Sequence, residues 1–219
     1  GASYCFLPGR SAIDETNLSI QPGEMIALTG PPGTGKSVLL DLLFGLRQPE
    51  CGHIVLDEAD LRSLELGSLR RQVRLVRGVE VISGTIYQNL RFDRQLLPSE
   101  VRSTLKGLGL YEELMRLPEG LETVLQSSGA PLSESQLQRL MLARALLSRP
   151  RLLLIDRLLD GLADELLPPV MNALEQLRSA CTIVIVTGRR DVAQLCDRIQ
   201  FVGPPPQDLS DARDFSVAI

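Results

Sequence analysis

Gly30-Pro31-Pro32-Gly33-Thr34-Gly35-Lys36-Ser37 is the stretch that decides how this chain is read. It fits the pattern G-x-x-x-x-G-K-[ST]. Glycines there let backbone N–H groups close on a phosphate, with the partial positive charge of a helix N-terminus behind them. The lysine of this pattern reaches the outer phosphates and the hydroxyl after it ligates magnesium. Lys36 and Ser37 are the candidates for those two roles. A chance match in a chain this long is expected about once in a hundred. The flanks agree with the motif. Residues 25–29 form a short apolar run that ends at the loop, and 36–44 carry a helical pattern. Strand, loop and helix in that order are the context the motif requires.

Working outward, residues 53–56 and 72–76 predict further strands. Residues 61–121 read as mostly helical, with breaks at Gly78, Pro98, Gly107, Gly109 and Pro118. Ser133 opens a helix, and Ser133 with Gln136 has capping-box spacing. The apolar positions Leu137, Leu140, Met141, Ala143 and Leu147 carry that helix to Pro150. Residues 152–155 and 182–186 are near-continuous apolar runs, the latter rich in β-branched residues. Such runs suit a parallel sheet covered on both faces. The expected fold class is therefore α/β, with a helical insertion at about 80–145. Pro204-Pro205-Pro206 is the one biased tract.

Bulk properties narrow the choice of partners. A chain of 219 residues suffices for one large domain with a sizeable core. Net charge is −4 and no basic run exists, so nucleic acid is not an expected partner. No apolar run reaches the roughly 18 residues of a membrane span, and no signal peptide is visible. A membrane part, if the protein serves a membrane, is expected on another segment or chain. Gly1-Ala2-Ser3 reads as a cloning remnant before a strand, which predicts a domain excised from a longer protein. Cysteines at 5, 51, 181 and 196 make no CxxC pair and are expected to be small buried hydrophobes in a reducing compartment. His53, the one histidine, cannot build a metal site alone and is expected on a strand face.

A second block extends the reading. It runs Leu132-Ser133-Glu134-Ser135-Gln136-Leu137-Gln138-Arg139, then Leu142 to Leu147, Pro150, and Leu152 to Asp156. This block resembles the signature helix and Walker B strand of ABC transporter ATPases. The resemblance spans residues 4 to 202. Ser83-Gly84-Thr85-Ile86 and the helical insertion are most similar to the exporter branch. Pro31-Pro32-Gly33-Thr34 also resembles AAA+ ATPases, which lack a counterpart of residues 132–156. The ABC resemblance implies a P-loop NTPase core with a mostly parallel sheet flanked by helices, N-terminal antiparallel strands and a helical signature subdomain, all in one domain over 1–219. It implies ATP and magnesium as ligands, held by Gly30, Pro31, Pro32, Gly33, Thr34, Gly35, Lys36, Ser37 and Asp156. Ser37 and Asp156 would serve the metal, Asp156 directly or through water. Phe6 would stack on adenine, with Tyr4 as second choice. It also implies a transmembrane domain upstream or on a sister chain, and a location at the cytoplasmic face of the cell membrane. The second partner would be another nucleotide-binding domain. Its signature, here Ser133, Glu134, Ser135 and Gln136, would face this chain's phosphates.

The same comparison exposes departures. Asp156 is retained, but the catalytic glutamate of the family falls on Arg157, which accepts no hydrogen bond and cannot act as a base. The family's histidine after the 182–186 strand falls on Gly188, and its glutamine after the 72–76 strand on Gly78. The two signature glycines are Glu134 and Ser135. The D-loop aspartate falls on Ala163, and the acidic exporter loop reads Gln126-Ser127-Ser128. These losses cluster on hydrolysis. They imply an exporter ATP-binding domain with impaired or absent turnover. Two other readings stay open: a working ATPase with substitute groups, and a structural or docking module with vestigial nucleotide binding. The residues name neither the transported substrate nor a homo- or heterodimeric partner.

Overall fold

The computed structural model describes residues 2–7, 10–92 and 94–203, with residues 2–16 described through their backbone alone. The chain opens with two antiparallel strands, β1 (Ala2–Leu7) and β2 (Arg10–Thr16). Strand β3 (Met25–Thr29) leads through the glycine loop into helix α1 (Lys36–Leu43). A small hairpin, β4 (Val55–Leu56) and β5 (Ala59–Asp60), precedes α2 (Leu66–Gln72) and β6 (Val73–Arg77). Next come β7 (Gly84–Thr85), α3 (Ile86–Arg91), α4 (Pro98–Gly107), α5 (Tyr111–Met115) and β8 (Val124–Leu125), which pairs with β7. Helix α6 (Glu134–Leu147) feeds β9 (Leu152–Asp156). The last elements are α7 (Leu167–Glu175), β10 (Thr182–Val186), α8 (Arg190–Gln194) and β11 (Arg198–Phe201).

Five of these strands make one parallel sheet in the order β11-β3-β10-β9-β6. Successive side chains of a strand leave on opposite faces, and here both faces are packed. Leu153, Ile155, Ile183 and Ile185 join one apolar layer with α3, α4, α6 and α7. Ile26, Leu28, Leu154, Val184 and Val186 join the other, under α1 and α2. Each such buried aliphatic side chain contributes about 1.5–3 kcal/mol. That double coverage explains why the central strands β3, β9 and β10 are apolar at nearly every position rather than alternately. The α/β class, the mostly parallel sheet and the N-terminal antiparallel pair all match the expectation from sequence.

Four local expectations need correction. His53 lies outside any strand and is exposed. The strand starts at Val55 because Gly52 (φ 77°) turns the chain before it, and Asp57 and Glu58 (φ 47° and 68°) turn it back after two residues. Gln72 closes α2 instead of opening β6. Pro98 starts α4 rather than breaking a helix, because its missing N–H has no intrahelical partner at that position anyway. Of the cysteines, Cys181 is buried and Cys196 half-buried, but Cys51 is exposed. The side chain of Cys5 lies outside the described residues.

Candidate functional site

Strand register brings the candidate residues together. Leu28 pairs with Val186, Val186 with Asp156, and Asp156 with Arg77. The segments that follow these positions therefore leave the sheet at one level. They are the glycine loop, Arg157, Thr187-Gly188 and Gly78. Open parallel sheets hold ligands at this carboxyl edge.

The loop is preformed. Gly33 and Gly35 sit at φ 82° and 86°, in the left-handed region that favours glycine, and Gly35 caps the N-terminus of α1. Lys36 is buried and folds back on the loop. Its Nζ donates to the carbonyls of Gly30 and Pro31, both at 2.7 Å, and to Thr34 Oγ1 at 3.2 Å. Thr34 Oγ1 in turn donates to Pro31 O at 3.0 Å. Burial lowers the Lys36 pKa, the nearby Arg157 charge adds to that, and Asp156 opposes it. Pro31 and Pro32 are exposed at the loop tip.

A cluster that the sequence did not reveal ties this loop to the sheet. Arg77 Nε donates to Asp156 Oδ2 at 2.6 Å, and its Nη2 to the carbonyl of Ser37 at 3.0 Å. Its Nη1 lies 2.9 Å from Asp41 Oδ1, while Asp41 also pairs with Arg47 at 3.0 Å. Asp41 is the one charge in the apolar run Val38-Leu39-Leu40-Asp41-Leu42-Leu43. A buried carboxylate needs a partner, and that was the available signal for this cluster.

Ser37, Arg77, Gly78, Gln138, Asp156, Arg157 and Leu158 line a cavity of about 530 Å³. Asp156 is its one carboxylate. Arg157 is exposed, with a left-handed backbone (φ 56°), and its N–H donates to Val186 O at 2.9 Å. Gly188 offers no side chain. Its N–H donates to Asp160, at 3.1 Å to Oδ2. Thr187 Oγ1 donates to the other oxygen of Asp160 at 2.5 Å, so both oxygens of that carboxylate are engaged. Gln138 is buried in the cavity wall, and its Oε1 has no hydrogen-bond partner among the described residues.

Ser133, Glu134, Ser135 and Gln136 are not among the residues lining this cavity; of α6, Gln138 alone reaches it. The capping box predicted there exists. Ser133 Oγ accepts from Gln136 N at 3.3 Å, and Gln136 Oε1 accepts from Ser133 N at 2.9 Å. Glu134 is exposed at the helix start. Behind this turn, buried Arg139 makes a bidentate pair with Glu113, with 2.9 Å for each bond. Gln126-Ser127-Ser128 form an exposed turn closed by Gly129 N donating to Gln126 O at 2.8 Å, and Ala163 is exposed. Tyr4 and Phe6 fall on β1, where the side chains lie outside the described residues.

Ser37 and Asp156 fit a magnesium ion in kind. Both offer oxygen, and Asp156 Oδ1 is buried with no hydrogen-bond partner among the described residues. No cluster of three or more His, Cys, Asp or Glu able to hold a metal exists among the described residues. An ion here would therefore depend on ligand phosphates and water for its remaining coordination.

Comparison with known proteins agrees with this geometry. The family described as ABC transporter matches residues 13–158. "ATP-binding cassette sub-family B member 5" of Mus musculus is 34% identical over 199 residues, which covers 90% of this chain and 16% of that protein. An "ATP-dependent lipid A-core flippase" of Burkholderia pseudomallei (strain 1710b) is 32% identical over 192 residues, covering 87% of this chain and 32% of that protein. The chain thus spans about a third or less of the length of these relatives. A solved structure of a bacterial Atm1-family ABC exporter with ATP bound superposes with a TM-score of 0.87 at 25% identity, over 92% of this chain and 36% of that one. No helix among the described residues is long and apolar enough to cross a membrane.

Proposed function

Because this chain belongs to the ABC transporter family, we propose that it is the ATP-binding domain of an exporter in which nucleotide binding persists and hydrolysis is impaired or absent. The observation that carries this reading is the cavity wall. Its one carboxylate, Asp156, is paired with Arg77, the residue after it is Arg157, and no histidine is present. A water there meets guanidinium donors, and the one carboxylate beside it is already ion-paired with Arg77, which makes it a weak base. Gly188 and Gly78, at the positions of the family's histidine and glutamine, add nothing in their place.

Binding itself needs only what is in place. The loop N–H groups and the α1 N-terminus face an incoming triphosphate. Lys36 exchanges its bonds to Gly30 O and Pro31 O for phosphate oxygens, and water takes over those accessible carbonyls. Ser37 and Asp156 are the residues that would hold magnesium, which when bound neutralises phosphate oxygens. Arg157, beside Lys36, holds the charge of an unhydrolysed γ-phosphate. The names and lengths of the relatives support a transmembrane partner, a second nucleotide-binding domain and a place at the cytoplasmic membrane face. The four signature residues, Ser133 to Gln136, would face that second domain.

Calorimetric titration of ATP into wild type and Lys36→Ala tests the binding, with phosphate release measured in parallel. Loss of one charge-assisted contact is worth roughly 1.5–3 kcal/mol, or about 10- to 150-fold in Kd. Equal affinities would sink the binding assignment. Wild-type phosphate release well above that of Lys36→Ala would sink the claim of impaired hydrolysis. One observation favours a working enzyme instead: the unpartnered Oε1 of Gln138 could orient a water. Turnover abolished by Gln138→Ala would establish that second reading.

A further inference from the structure

Arg77 is the unusual group of this site. We infer that its guanidinium stands in for the divalent cation, so that the site takes a nucleoside triphosphate with little dependence on magnesium. The inference rests on the reading of the loop as a nucleotide cradle and deepens it.

Both residues that would serve a metal meet Arg77, Asp156 through one carboxylate oxygen and Ser37 through its main chain rather than its hydroxyl. Asp156 gives Oδ2 to Nε at 2.6 Å, and Ser37 gives its main-chain carbonyl to Nη2 at 3.0 Å. Asp41 holds the same guanidinium from the other side at 2.9 Å. The carboxylate side chains of Asp41 and Asp156 are 10% and 4% exposed, so the cation is fixed by two acceptors that water scarcely reaches. Placement follows from register. Arg77 ends β6 directly opposite Asp156, and it leaves the sheet on the same face as Leu75, toward α1.

The chemistry then differs from that of a metal site. A guanidinium does not dissociate, keeps its charge at every accessible pH, and matches phosphate oxygens with a planar fork of donors. Its Nε and Nη2 donate to Asp156 and Ser37 and its Nη1 is ion-paired with Asp41, while the fork holds five N–H donors and Arg77 itself lines the cavity. Charge balance agrees. The cavity wall carries Arg77 and Arg157 against Asp156, a net positive surface before any ion arrives. A divalent ion approaching Asp156 would meet a cation already in contact with it. In a site without such an arginine, the same ion meets only the carboxylate.

The experiment is ATP titration by calorimetry in magnesium and in EDTA, on wild type and Arg77→Gln. Wild-type affinities are expected to agree within about threefold between the two buffers. Arg77→Gln is expected to lose on the order of tenfold or more in EDTA, the scale of one charge-assisted contact, and to recover most of it with magnesium. Wild-type binding weakened tenfold or more by EDTA overturns the inference without any variant. So does an Arg77→Gln protein, folded by circular dichroism, that shows the same buffer independence as wild type. Absence of ATP binding in both buffers overturns the nucleotide reading, and this inference with it.

Discussion

Glu113→Ala is expected to destabilise the fold by about 2–4 kcal/mol, because it strands a buried cation. Arg139 is 2% exposed at its side chain. Its Nη1 and Nη2 donate to Glu113 Oε1 and Oε2 at 2.9 Å, Nη1 also to Gly109 O at 2.8 Å, and Nε to Ser135 O at 3.3 Å. Two of these four bonds vanish with the carboxylate, and so does the only opposite charge in the contact. Breaking a fully buried pair from one side typically costs about 3–5 kcal/mol. The Glu113 side chain is 32% exposed, so water entering its place moderates the loss. At roughly 2–4 °C per kcal/mol for a domain of this size, Tm should fall by about 5–15 °C. Gln136 Nε2 also loses its acceptor, Glu113 Oε2 at 2.9 Å, so the first turn of α6 loosens with the core behind it.

Thermal and urea unfolding followed by circular dichroism measure the effect. Glu113→Leu/Arg139→Met removes both charges and should recover most of the stability, as apolar replacement of buried pairs does. A single-substitution loss below about 0.5 kcal/mol would refute the reasoning, as would a double variant no more stable than Glu113→Ala. Acid gives an independent check. The Arg139 hydrogen bond, helped by Gln136 and opposed by burial, holds the Glu113 pKa below its ordinary value. A depressed folded-state pKa adds stability at pH above the ordinary carboxylate range, and that gain is lost as pH falls through the folded value. The gap between wild type and Glu113→Gln should therefore narrow on acidification.

Two further outcomes concern the proposed function. ATP alone is not expected to dimerise the wild-type domain, since Glu134 would bring a carboxylate to a partner's γ-phosphate; two unit charges about 5 Å apart at an effective dielectric near 20 repel by about 3 kcal/mol. Light scattering with excess ATP should show a wild-type monomer and at least partial dimer for Glu134→Gly/Ser135→Gly, and equal dimerisation of both would clear Glu134. Arg157→Glu/Gly188→His should raise phosphate release by about 10²–10⁴-fold over wild type if a missing base limits turnover. A Cβ at Gly188 meets only Asp160 Oδ2 at 3.6 Å, an ordinary contact, so an inactive but folded double variant would place the defect elsewhere.

What the sequence determined by itself was local. The glycine loop was legible because its pattern is carried by eight contiguous residues, and the strand before it and helix after it are contiguous too. The Ser133–Gln136 capping box was legible for the same reason, and so were β9 and β10, whose apolar runs match burial on both faces. The place of Arg157, Gly188 and Gly78 at one edge of the sheet was readable because each lies within two residues of a strand's end. His53 was misjudged because a short apolar stretch does not reveal positive-φ turns on either side. Tertiary structure alone decided the electrostatics. Arg77 looked like a flanking residue, yet it meets Asp156 across 79 positions and Ser37 across 40. Arg139 and Glu113 meet across 26, and Thr187 and Asp160 across 27. Those encounters follow from β6 lying beside β9, β9 beside β10, and α5 lying against α6. Strand order and helix docking are properties of the whole packed chain, and no local pattern encodes which distant charges they bring into contact.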